Sequence, residues 1–134
     1  MFEKQLEISN SKPFVFHVVQ AHGKALEILN NFSVKGFVHG FSGSIEVAEK
    51  YYAEGILLSF GPGILNENYK KARLALEELP LEAILIESDT PSHPVDEGHP
   101  VEILEKVYQE AANIRQISVD ELKSQVRKNF STLL

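Results

Sequence analysis

Cysteine is absent from the 134 residues, which excludes disulfides, thiolate metal ligands and a thiol nucleophile together. A cytoplasmic setting is the expectation that fits this absence. Long hydrophobic runs are also missing. The first ten residues, MFEKQLEISN, mix charges with apolar side chains, so neither a secretion signal nor a membrane span is expected there. No Gly-x-Gly-x-x-Gly follows the first apolar run and no Walker A sequence occurs, which leaves a nucleotide-binding doubly wound domain without support. Positive charge is in deficit: 13 Lys and Arg stand against 19 Asp and Glu, a net charge of −6. That balance argues against a protein that grips nucleic acid by bulk electrostatics. It remains compatible with a nuclease whose bound metal ions supply positive charge locally.

What is present reads as a folded chain. Hydrophobic residues make up 43% and charged residues 24%, ordinary proportions for a globular protein, and residues 1–134 are expected to form a single domain. Short apolar runs alternate with helix-like segments. Phe14–Val19 is β-branched and aromatic and reads as a buried strand, followed by a helix over Ala21–Asn31. Gly36–His39 is a second strand. Ser44 is placed to cap a helix reaching Ala53, with Glu46 in its first turn. Ile56–Phe60 is a third strand, stopped by Gly61-Pro62-Gly63, and a helix over Asn68–Leu79 ends at Pro80. Ala83–Glu87 is a fourth strand. After a polar, proline-rich loop, Pro100 opens a helix to Ile114, and Ser118 with Glu121 forms a capping box for a last helix reaching Phe130.

Four strand–helix units whose strands are apolar throughout predict an α/β fold with a parallel sheet covered by helices. Periodicity alone allows either an open doubly wound sheet or half of a (β/α)8 barrel.

Three strands end in or near a residue able to bind a metal or move a proton: His17, His39 and Asp89, the last just beyond Glu87. In parallel α/β folds the C-terminal strand ends face one side, so these residues are expected to converge. Neutral imidazole and carboxylate suit zinc, manganese or iron, and carboxylate suits magnesium. Taken singly, each has a plainer reading. A strand-end histidine is more often a hydrogen-bonded structural residue, and an acid before proline, as in Asp89-Thr90-Pro91, is often a loop cap. Glu87 ends an apolar strand, where burial is costly unless the carboxylate is paired or used. His22 begins a helix after the first strand and would line the mouth of such a site. His93 and His99 fall in the polar loop, where exposure explains them better.

These segments resemble the TatD family of metal-dependent hydrolases. Pro13-Phe14-Val15-Phe16-His17 with Ala21-His22 is similar to the family's fifth-strand motif. Gly36-Phe37-Val38-His39-Gly40-Phe41-Ser42-Gly43-Ser44 is similar to the sixth, Leu58-Ser59-Phe60-Gly61 to the seventh, and Leu85-Ile86-Glu87-Ser88-Asp89-Thr90-Pro91 to the eighth. Lys128-Asn129-Phe130 resembles the Asn-Phe near the family's C-terminus. The resemblance implies the C-terminal half of a TIM-type (β/α)8 barrel. It further implies His17, His39 and Asp89 as ligands of divalent ions (magnesium, manganese or zinc), Asp89 and Glu87 as catalytic residues, and His22 and Ser42 as substrate contacts. The implied activity is phosphodiester hydrolysis of the DNase type by metal-activated water, with DNA or another phosphodiester as transient partner and no membrane.

The pattern also departs from the family. No His-x-His pair and no bridging glutamate precede Phe14, Val19 stands where many members have arginine, and Ser88 replaces threonine. Four strands cannot close an eight-stranded barrel. The expectation is therefore a homo-oligomer, or pairing with a separate N-terminal half. The alternatives are a catalytically incomplete half-barrel remnant and an unrelated open α/β binding domain.

Overall fold

The computed structural model describes residues 14–16, 22–30, 34–88 and 100–134. Strands β1 (Phe14–Phe16), β2 (Gly36–Val38), β3 (Ile56–Phe60) and β4 (Ile84–Ile86) form one sheet in the order β1-β2-β3-β4, with every neighbouring pair parallel. Helices α1 (His22–Leu29), α2 (Ile45–Ala53) and α3 (Lys70–Glu78) lie between successive strands, while α4 (Pro100–Arg115) and α5 (Val119–Ser131) follow β4. Strand order in space follows strand order in the chain, without the reversal that makes a doubly wound sheet. That succession is the winding of a (β/α)8 barrel, and the four units form part of one.

The register shows why the strands are apolar throughout. Phe16, Val38, Leu58 and Ile84 pair in a row across the sheet, and Phe60 lies two residues beyond Leu58 on the same face. All five are buried in a core that also contains Ala48 and Tyr51 of α2, Leu76 of α3, Val107 of α4 and Leu122 of α5. The alternate face carries Val15, Phe37, Leu57, Ser59 and Leu85. There Leu57, Ser59 and Leu85 are buried, whereas Val15 on the edge strand is 61% exposed. This second face would be the interior of a closed barrel.

The element ends follow local chemistry. Ser44 accepts from the Val47 N–H at 3.3 Å and Ser118 from the Glu121 N–H at 3.1 Å, so both expected N-caps form. The third helix starts at Lys70 rather than Asn68, because the Asn66 side chain accepts from the Asn68 N–H at 2.9 Å and holds a turn there. Short 3-10 turns at Pro62–Leu65 and Leu81–Ala83 were not expected; the second shortens the fourth strand to Ile84–Ile86. Residues 17–19 of the expected first strand, and Ala21 and Asn31 of the first helix, lie outside the described residues.

Candidate active site

Backbone hydrogen bonds carry the strand pairing one residue past the strands and so fix where the side chains begin. The His39 N–H donates to the Phe16 carbonyl at 2.7 Å, and the Glu87 N–H to the Phe60 carbonyl at 2.9 Å. Both residues therefore sit at the C-terminal rim of the sheet. Both also extend the face that carries Phe37, Ser59 and Leu85.

The two side chains meet. His39 Nδ1 lies 2.9 Å from Glu87 Oε2, and the Ser59 hydroxyl donates to the same oxygen at 2.6 Å. One carboxylate oxygen thus joins β3, the end of β2 and the end of β4. Ser59 is buried, and its hydroxyl would be costly in an apolar strand without this acceptor. The carboxylate orients the ring: Nδ1–H directed at Glu87 leaves Nε2 as the lone-pair nitrogen of neutral His39. The other oxygen, Glu87 Oε1, is buried and has no hydrogen-bond partner among the described residues. A Cβ built on Gly40 would lie 3.6 Å from it, so the rim backbone closes over the carboxylate. Gly40 itself has φ +57°, a left-handed conformation that a side chain would strain.

His22 belongs to a different cluster. Its Nδ1 is 2.9 Å from the Tyr51 hydroxyl, and its ring stands edge-on to Tyr51 and tilted against Phe41, with centroids 5.6 and 5.7 Å away. Burial lowers the His22 pKa and pushes Tyr51 up to about 12, so both groups are neutral at pH 7. Phe41 also packs edge-on against Phe60. A Cβ at Gly43 would press on the Phe41 ring and on His22 Nε2, at 3.0 and 3.2 Å. His22 therefore clamps the loop that follows β2. Ser42, on that loop, is exposed and lines a separate cleft with Gly40, Gly61 and Gly63.

Of the residues named from sequence, the structure joins His39 to Glu87, anchors His22 to the neighbouring loop, and opens Ser42 to the cleft. His17 and Asp89 lie outside the described residues, and among those described no group of three histidines or acids is gathered. The donors present fit a divalent ion: an imidazole oriented by a carboxylate, beside a buried carboxylate oxygen that accepts no hydrogen bond from the described residues. Ser59 is the participant that sequence reading passed over. Its signal was a lone hydroxyl in an apolar strand, which has to find a buried partner.

A parallel sheet wound in one direction, with histidine and carboxylate at its C-terminal rim, is the framework of metal-dependent hydrolases built on the (β/α)8 barrel. The family model for TatD related DNase matches residues 1–134, and the chain belongs to that family. It is 28% identical to the uncharacterized metal-dependent hydrolase YjjV of Escherichia coli K12, over 99% of this chain and 54% of that protein. The crystal structure of YjjV superposes with a TM-score of 0.89, covering 98% of this chain and 54% of the other. A metal-dependent hydrolase of Haemophilus influenzae is 34% identical over 70% of this chain and 37% of its own length. The human 3'-5' RNA nuclease TATDN2 is 35% identical over 68% of this chain and 13% of its own length. The chain spans about half the length of YjjV. Among the described residues no helix is long and apolar enough to cross a membrane.

Proposed function

We propose that this chain supplies the C-terminal half of a divalent-metal-dependent phosphodiesterase acting on nucleic acid, of the DNase type. The observation that carries this reading is the His39–Glu87–Ser59 arrangement at the rim of a sheet belonging to a family of metal-dependent hydrolases. His17, His39 and Asp89 are the proposed ligands of magnesium, manganese or zinc. Bound there, the ion would lower the pKa of a coordinated water and neutralise charge on the phosphate. Asp89 would hold the attacking water, while Glu87 acts through His39 by fixing its ring. The Glu87 contact fits this division, because its Oε2 is already committed to the imidazole and to Ser59.

The chain's own charge of −6 would repel a polyanion, so bound cations would also supply the attraction for substrate. His22 serves the site by holding the loop on which Ser42 is presented. The absence of cysteine supports a cytoplasmic setting.

These 134 residues contain neither the His-x-His pair nor the bridging glutamate that the family resemblance leads one to expect. We place the remaining ligands on a complementary four-stranded half, or on a second copy of the chain. The test is cleavage of DNA in manganese or magnesium, with His39→Ala, Asp89→Ala and EDTA each expected to abolish it. Activity that survives both substitutions and chelation would overturn the reading.

A further inference from the structure

We propose that the cleft beyond the ends of β2 and β3 is a nucleobase subsite, with Tyr69 as its stacking platform. The inference rests on the nucleic-acid hydrolase reading and names which part of the substrate this surface takes.

The cleft measures about 230 Å³, and its walls include Gly40, Ser42, Gly61, Gly63, Ile64 and Tyr69. It adjoins the active site through Gly40. Gly40, the residue whose Cβ would lie 3.6 Å from Glu87 Oε1, forms one wall. A substrate with its scissile phosphate at the strand rim therefore has a neighbouring nucleotide within reach of the cleft.

The chemistry of the walls selects a base over a phosphate. Apart from the Tyr69 phenol, no lining side chain among the described residues is ionisable, which favours a neutral base over a phosphate. Three glycines leave the backbone uncovered, and the Ser42 hydroxyl offers one donor and acceptor. Tyr69 is 47% exposed although it is a large aromatic. One edge of its ring lies beside Gly63, whose missing Cβ would stand 3.7 Å from it, and nearly half of the residue is open to solvent. Any nucleobase offers a π-face to such a ring, and the pairing tolerates sequence.

The cleft wall is also held in place. The Arg73 guanidinium donates to the Ile64 carbonyl in the cleft wall and is fixed in turn by Glu110 at 3.1 Å. Tyr69 occupies the N-cap position of α3 but makes no side-chain cap hydrogen bond. Its ring can therefore be removed without undoing the helix start. Bases within a duplex have their faces covered by neighbours, so the occupant is a single strand or an unpaired end.

The experiment measures binding of a fluorescein-labelled, phosphorothioate-linked oligothymidylate pentamer to the 134-residue chain by anisotropy, in manganese, with the intact length of the pentamer checked by electrophoresis. Tyr69→Ala is expected to weaken binding about tenfold, and Tyr69→Phe to leave it nearly unchanged. An abasic pentamer should bind the unaltered chain as weakly as thymidylate binds the alanine variant, and should not sense the substitution. Equal thymidylate affinity for Tyr69→Ala and the unaltered chain would overturn the inference, and so would no binding at all. A parallel cleavage assay in manganese separates the two readings. Cleavage indifferent to Tyr69→Ala sinks the subsite and spares the hydrolase. Tyr69-dependent binding without cleavage supports the subsite and counts against hydrolysis by copies of this chain alone.

Discussion

At the scale of single residues, the central feature is that one oxygen of Glu87 accepts from both Ser59 and His39. A glutamine could reproduce both contacts through its carbonyl oxygen, whereas leucine reproduces neither. Glu87→Leu is therefore expected to weaken zinc or manganese binding by about ten- to a hundredfold, the usual effect of losing a ligand's orienting partner. Glu87→Gln should keep the ring orientation and lose only the contribution of charge. Calorimetric titration of metal measures the affinity, and ¹⁵N NMR of the metal-free protein reports whether His39 carries its proton on Nδ1. Unchanged affinity and tautomer in the leucine variant would count against a positioning role. Glu87 was visible in the sequence as an acid ending an apolar strand. That it meets His39 rather than solvent was not, since the two lie on separate strands.

At the scale of elements, the end of the chain is tied to the sheet by a buried amide. The Asn129 side-chain NH2 donates to the carbonyls of Leu81 and Ile84 at 2.8 and 2.7 Å, and its oxygen accepts from Gln125 at 2.8 Å. These bonds lock α5 onto the 3-10 turn that leads into β4, the strand immediately before Glu87. Asn129→Ala would leave two backbone carbonyls without these donors, at a cost of about 2 kcal/mol. The expected outcome is a lower urea midpoint with an unchanged slope, and an unchanged midpoint would refute it. The Asn-Phe resemblance near the C-terminus marked this residue in the sequence, but gave it no partner. The partners of its NH2 group are backbone carbonyls forty-five and forty-eight positions away in the chain. Arg115 plays a similar part, donating from α4 to the carbonyls of Leu76, Glu77 and Leu79 where α3 ends.

At the scale of the whole molecule, the sheet remains open. Among the described residues β1 and β4 each pair with one neighbour only, so both edges carry unpaired backbone groups. Beside β4 runs a groove of about 460 Å³, with Phe37 and Leu85 on the sheet side and Tyr108, Val126 and Phe130 on the helix side. Val15 at the opposite edge is 61% exposed and Phe130 is 51% exposed. Open edges flanked by apolar surface favour association, and the purified chain is expected to be a dimer or larger species. Light scattering coupled to size exclusion measures this, and a monodisperse monomer would overturn it.

The sequence by itself determined the order and kind of the elements, because that information is local. Apolar runs too short for helices, serines before helical stretches and glycines after strands act within a few residues of one another. It also determined which residue types stand at the strand ends. Only the tertiary structure decided that the strands lie in chain order, which separates a barrel's winding from a doubly wound sheet. The same holds for the Ser59–Glu87–His39 contact, the docking of His22 on Tyr51 and Phe41, and the cleft that joins Ser42 to Tyr69. Each depends on which strand neighbours which and in what register, and parallel neighbours are joined through intervening helices. Local propensity cannot specify such long-range pairing; packing of the whole sheet and its helices does.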